Sequence, residues 1–300
     1  MILRTAIVAL ALTLCAWSQQ SGEPAASAED LSPQIEHASA PQLMPVSECD
    51  KLSSGTEHEE AIQAFCEWVL SFRSRLPDIL TDEKMQRMHV DVQHYWETLD
   101  VLSVKVHYVD GTVQYSNLAI NGKPTTKSIY DLEGSWSTGE LGSTLEGLLV
   151  DVRNTKFKFT KATKLGKERV LGFEFNVPRV DNGSWTLSIS ANQKFVPGYR
   201  GRIWLDESSF QLVQFERVSS DVDPKFPIQI VTTLTKYAPV KLGDKSDFVL
   251  PVSSESVSCL DHEAAGKYTN CLKNILTFEN WRKFGAEHRI MTDLPDVAPK

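Results

Sequence analysis

The hydrophobic pattern of the chain changes period along its length. Residues 5–14 form an unbroken apolar run, whereas residues 19 to about 45 hold almost nothing large and apolar. Apolar residues then recur at helical spacing, with Ile62, Phe65, Cys66, Val69 and Leu70 at i, i+3, i+4, i+7 and i+8. This predicts a helix over about 57–75. Thr56 and Glu59 supply a T-x-x-E capping box at its start, and Pro77 stops it.

From about residue 78 the period shortens toward two. SVKVHYV and TVQY flank Asp110-Gly111, a pair suited to the positive φ angles of a tight hairpin turn, and Asn121-Gly122 marks another turn. Further strand-like runs are TKFKFTK, ERVLGFEFNV, SWTLSIS, GRIWLD, FQLVQFERV, IQIVTTLTKY, FVLPVSSESVSC and CLKNILTFENW. Gly, Pro, Asp and Asn separate them at short intervals, as in an antiparallel meander. One interruption, from Ser137 into LGSTLEGLLV, predicts a short helix with Leu141, Leu145, Leu148 and Leu149 on one side. The expected fold class is α+β: a long curved antiparallel sheet of about eleven strands, a half-open barrel, wrapped around helices. It occupies a single domain over 46–292, followed by a tail at 293–300.

The first apolar run follows Arg4 and is too short to span a bilayer, so residues 1–18 are expected to be a signal peptide, cleaved after Ser18. The competing reading lipidates Cys15, although the bulky Leu14 fits poorly before such a cysteine. Residues 19–45, rich in Ser, Ala, Pro, Gln and Glu, are expected to be a disordered tether. No later segment is apolar enough to cross a membrane, and the expected location is periplasmic or extracellular.

A net charge of -8 with scattered Lys and Arg argues against nucleic acid. Five cysteines become four once the leader goes, an even set that an oxidising compartment turns into disulfides. The favoured pairing is Cys49 with Cys66 and Cys259 with Cys271, the second flanking a polar turn. Cys259, His262 and Cys271 give only three candidate metal ligands, so no metal and no cofactor is expected.

Candidate chemistry is sparse. No nucleophile elbow, phosphate loop, zinc helix or dinucleotide fingerprint is present in the sequence, and no catalytic residue is expected. His89, Asp91 and His94 group closely but fit a solvated strand edge. Asp206 and Glu207 fall in a hairpin turn, whereas Glu174, Glu216 and Arg217 lie within strands where a buried charge needs a partner. Trp68, Trp96, Trp185, Trp204 and Trp281 read as packing, while Trp136 precedes the short helix in a polar loop. Asn182-Gly183-Ser184 matches a glycosylation acceptor.

An ordered set of short motifs resembles an uncharacterised family of secreted acidobacterial proteins. It comprises Trp96 to Asp100, Asp110-Gly111, Asn121 to Pro124, Ser137 to Gly142, Tyr199 to Asp206, Phe226-Pro227-Ile228, Leu250-Pro251-Val252 and Asn280 to Phe284. More distantly the plan resembles the LolA-type periplasmic lipoprotein carriers. That resemblance implies a half-open barrel around helices, with an apolar hollow for acyl chains. The chain departs from it in its paired cysteines and N-terminal extension. The leading expectation is a non-enzymatic cell-envelope protein holding a lipid, acyl chain or other apolar ligand between the concave sheet and the helices, its partner an apolar small molecule or a lipidated protein, with Trp136, Leu141, Leu145, Leu148 and Leu149 as lid-side ligand contacts. The alternative is a protein-interaction or envelope-stress-sensing module whose sheet interior is filled by its own side chains.

Overall fold

In the computed structural model, residues 45, 47–90, 95–109, 112–132, 135–136, 140–190, 193–243, 247–262 and 268–283 are described. The expected leader, the tether up to residue 44, the Asp110-Gly111 turn and the C-terminal tail lie outside these residues.

Two N-terminal helices, α1 (Ser47–Ser53) and α2 (Glu59–Arg75), are tied by the Cys49–Cys66 disulfide. The expected capping box does not form. His58 occupies the cap position in a left-handed conformation without a side-chain cap. Glu59 instead accepts from Gly55 N, and Thr56 Oγ1 donates to Phe157 O. The cause is α1, unanticipated in the sequence, which forces a tight reversal over 54–58 and draws Thr56 toward the chain after the third helix.

Strands β1 (Ile79–Val90), β2 (Trp96–Val109), β3 (Thr112–Ile120) and β4 (Lys123–Pro124) follow as a meander. Helix α3 (Ser143–Asp151) interrupts, as the leucine pattern predicted. A second run of strands comprises β5 (Lys158–Leu165), β6 (Glu168–Val177), β7 (Leu187–Ser190), β8 (Gln193–Phe195), β9 (Gly198–Asp206), β10 (Leu212–Ser220), β11 (Ile230–Lys241), β12 (Asp247–His262) and β13 (Tyr268–Lys283). Eleven of the thirteen form one sheet in the order β4-β3-β2-β1-β13-β12-β11-β10-β9-β6-β5, and β7 and β8 pair separately. The first strand therefore meets the last in mid-sheet, joining two meanders along the antiparallel β1–β13 seam.

The sheet curls without closing. Register shifts at Leu80/Asp82, Arg87/Met88, Phe159/Lys161, Leu212/Gln214 and Lys236/Tyr237 insert the extra residues that bend and twist strands. Its β5 edge carries Lys158, Lys161 and Lys164, charges that discourage pairing with another strand. The Cys259–Cys271 bridge joins residues directly opposite in the β12–β13 register.

Helices α2 and α3 cover one face, called the inner face below. One buried cluster joins Ile62, Phe65 and Val69 of α2 and Leu145, Leu148 and Leu149 of α3 to Phe173, Phe175, Ile203 and Phe215 of the sheet. A second joins Phe72 and Leu76 to Met85, Leu102, Val104, Leu276 and Phe278. Gly201 makes the first cluster possible. A Cβ there would sit 1.9 Å from Glu216 O and 2.5 Å from Phe175 Cζ, so only glycine lets Phe175 stack on Phe215, at 6.0 Å between centroids.

Candidate functional site

The two faces of the sheet present different chemistry because strand residues alternate sides. On the inner face a polar row crosses the strands in register: Arg217, Thr233, Ser256, Asn274, Arg87 and Asp100. Some of its members are satisfied within the row or by the covering loop, while Arg217 Nε has no hydrogen-bond partner among the described residues. Arg87 makes a two-pronged pair with Asp100, at 2.7 and 2.6 Å, and Asn274 Nδ2 donates to Ser135 Oγ at 3.2 Å. At the other end the Arg217 guanidinium lies 4.0 Å from the Trp185 ring centroid. Burial lowers its pKa to about 10, against the opposing influence of Tyr199, Glu140, Tyr237 and Asp151.

Asp151, at the end of α3, is buried and accepts from Gly183 N at 3.0 Å, from Tyr199 Oη at 2.8 Å and from Ser184 Oγ. It pins α3 to the sheet. Asn182, in the glycosylation-like triplet, is buried and donates to Pro197 O at 2.6 Å and to Trp185 O.

A second polar element is an acid pair. Glu83 on β1 and Glu140 before α3 line a void of about 10 Å³ together with Val106, Val113, Tyr115, Leu141 and Phe278. That volume holds about one water. Glu83 is 3% exposed and its Oε1 has no hydrogen-bond partner. Burial, reinforced by the Glu140 charge, raises its pKa to about 8, so at neutral pH the carboxyl is held protonated. Burial likewise raises Tyr115 well above the usual phenol range.

The five lid-side residues lie within this packed interior. Leu145, Leu148 and Leu149 belong to the first cluster, while Leu141 and Trp136 pack in the second. The Trp136 ring meets Tyr130 edge-on at 5.3 Å. Of the histidine group, His89 sits 3.7 Å from Glu97, and Asp91 and His94 lie outside the described residues. Asp206 does the work of a turn acid, accepting from the backbone N–H and hydroxyl of both Ser208 and Ser209, which lowers its pKa. Glu207 pairs with Arg169.

The helix-free face carries an open groove of about 810 Å³ across β6, β9, β10, β11 and β12. Two register rows build it. One runs Glu174, Arg202, Glu216, Leu234, Glu255; the other runs Asn176, Arg200, Val218, Thr232. Lys156 and Lys158 stand at its β5 end. Each of its carboxylates is already engaged. Glu174 pairs with Arg202, Glu216 accepts from Trp204 Nε1 at 2.8 Å and from Gln214, and Glu255 lies 3.3 Å from Lys273.

Arg200 and Lys158 are exposed and make no ion pair among the described residues. The sequence singled out Glu174, Glu216 and Arg217 but not the groove. Alternation puts Arg217 on the inner face and the two glutamates outside. The signal available was the run of charges on alternate positions of neighbouring strands, which needs the register to be seen as a site.

No family model matches the chain, and no curated protein matches its sequence. Among solved structures it has distant similarity to an outer-membrane lipoprotein-sorting protein domain from Vibrio parahaemolyticus. That pair is 12% identical with a TM-score of 0.35, over 77% of this chain and 93% of the other. It is also distantly similar to MucB, 10% identical with a TM-score of 0.19, over 77% of this chain and 100% of MucB. Likenesses at these scores assign neither ligand nor activity.

Proposed function

We propose that the chain is an exported, non-enzymatic binding module of the cell envelope that meets its partner on the helix-free face of the sheet. The observation that carries this reading is the open groove of about 810 Å³ on a face that no helix covers, set against an inner face filled by two buried clusters. Two disulfides suit a protein that works in an oxidising compartment. Among the described residues no helix is long and apolar enough to cross a membrane.

The test is site-specific photo-crosslinking of the chain exported by its own leader. A benzophenone side chain at Val218, in the groove, is expected to give a discrete adduct. The same label at exposed Lys84 on β1 is expected to give none, and adducts of equal yield at both sites refute the reading.

A second reading keeps an apolar ligand, a lipid or acyl chain, between the inner face and the helices. It is favoured by the apolar underside of α3, where Leu145, Leu148 and Leu149 would be uncovered if the helix swung away. Uptake of a fluorescent acyl probe that Leu148→Lys abolishes supports this reading, and absence of uptake removes it.

A further inference from the structure

We infer that the groove takes an extended acidic segment of a protein partner, its carboxylates held by Arg200 and Lys158; this rests on the groove being the partner-binding surface. Length comes first. The groove crosses five strands, and four inter-strand spacings of about 4.8 Å make about 19 Å, the reach of about six extended residues.

Charge comes second. Glu174, Glu216 and Glu255 are each committed to groups of the protein itself, while Arg200 and Lys158 present cations with no intramolecular ion partner among the described residues. Lys156 adds a third positive charge at the same end, its Nζ resting on Ser54 O at 2.9 Å. This cationic end stands out on a chain of net charge -8, so it attracts an acidic segment that the rest of the surface repels. Arg200 suits the role because a guanidinium fork can grip a carboxylate with two hydrogen bonds.

The lining also separates a peptide from an acyl chain. Of the apolar residues that line the groove, Phe175 sends its ring into the inner cluster, which leaves the side chains of Val218 and Leu234, and Leu234 lies between Glu216 and Glu255 in register. A lipid tail along the groove would rest against those carboxylates, which disfavour apolar contact. A peptide offers alternating side chains, acids to the cations and a small apolar group to Val218 and Leu234. Because it lies across a sheet face and not along an edge, its recognition comes from side chains and not from added backbone pairing.

The experiment measures fluorescence anisotropy of a fluorescein-labelled peptide of alternating Glu and Val, about six residues long, with the Lys-and-Val peptide as its counterpart. The wild-type mature protein should bind the acidic peptide. The double variant R200E/K158E, whose exposed positions leave the fold intact by circular dichroism, should weaken it by about tenfold or more. Raising salt from about 0.05 to about 0.5 M should do the same.

Equal binding by wild type and R200E/K158E overturns the inference. Preference for the Lys peptide, abolished by a Leu234→Trp plug, overturns the choice of acid but leaves the groove reading standing. Binding of neither peptide, with an unchanged Val218 crosslink, overturns the acidic-peptide inference alone. Loss of that crosslink overturns the groove reading as well.

Discussion

Replacing Glu83 by Gln isolates the buried acid. Its folded pKa of about 8, against 4.5 in its unperturbed state, means that between those pH values the native state keeps a proton that the unfolded state has released. Stability must therefore fall as pH rises through this window, by about 1.4 kcal/mol per unit. The whole window amounts to on the order of 5 kcal/mol, reached near pH 8 and flat above it. Stability from this group is thus greatest below pH 4.5, the reverse of a salt-bridged carboxylate. Glutamine copies the size and neutrality of the protonated acid and removes the slope.

Urea unfolding of wild type and E83Q at a series of pH values is the assay. The two midpoints should nearly coincide around pH 5 and separate steadily, with E83Q the more stable by several kcal/mol at pH 8. Glu140→Gln should shorten this window from its upper end without abolishing it, because burial, the larger cause, remains. Parallel curves for wild type and E83Q across the range would refute the reasoning, showing that Glu83 ionises freely in the folded protein.

Four further outcomes are expected. Gly201→Ala should lose at least about 1–3 kcal/mol in the same unfolding assay, since its Cβ would meet Glu216 O at 1.9 Å. Gly166→Ala meets open space but stands at φ +62°, and should cost about 1–2 kcal/mol through left-handed backbone strain alone. Asp151→Asn should lower stability by about 1.5–3 kcal/mol, because an amide cannot accept from all three of Gly183, Ser184 and Tyr199 as the carboxylate does. Removing Cys259–Cys271 as a Ser pair, a link over 12 residues of sequence, should cost about 3 kcal/mol, seen as a loss of thermal midpoint in C259S/C271S that is smaller than the loss reductant causes in the wild type by opening Cys49–Cys66 too.

The strands were legible because their period-two pattern survives in nearly every run, and the two helices because their leucine and aromatic spacing is helical. Both disulfide pairings were legible from spacing and flanking turns. Helix α1 was not: SECDKLS is short, and its burial depends on Cys49 and Leu52 docking beneath α2, a tertiary fact. The capping box failed for the same reason. Strand order was also hidden, since the β1–β13 seam pairs residues nearly two hundred positions apart. The leucines of α3 marked a buried helix face correctly, but a pattern of leucines is the same whether they cover a ligand or a core. The groove escaped because Arg200 reads as an ordinary exposed strand residue until register places it beside Val218 and Asn176.

The inner polar row bears on which face works. Buried polar groups demand partners, and a ligand site would leave some of them waiting for one. Here most are met: Arg87 by Asp100, Asn274 by Ser135, Thr235 by Ser254 at 3.0 Å, and the Tyr199–Ser184 pair by Asp151, while Glu83 Oε1 and Arg217 Nε are exceptions among the described residues. Those bonds hold Ser135 and α3 against the sheet, so opening the interior means breaking several of them together with the leucine contacts. On the other face the accounting runs the opposite way: carboxylates are engaged, while Arg200 and Lys158 still face solvent. Cations beside an open groove on that face, opposite an interior filled by two buried clusters, support the proposal that the partner binds outside the sheet.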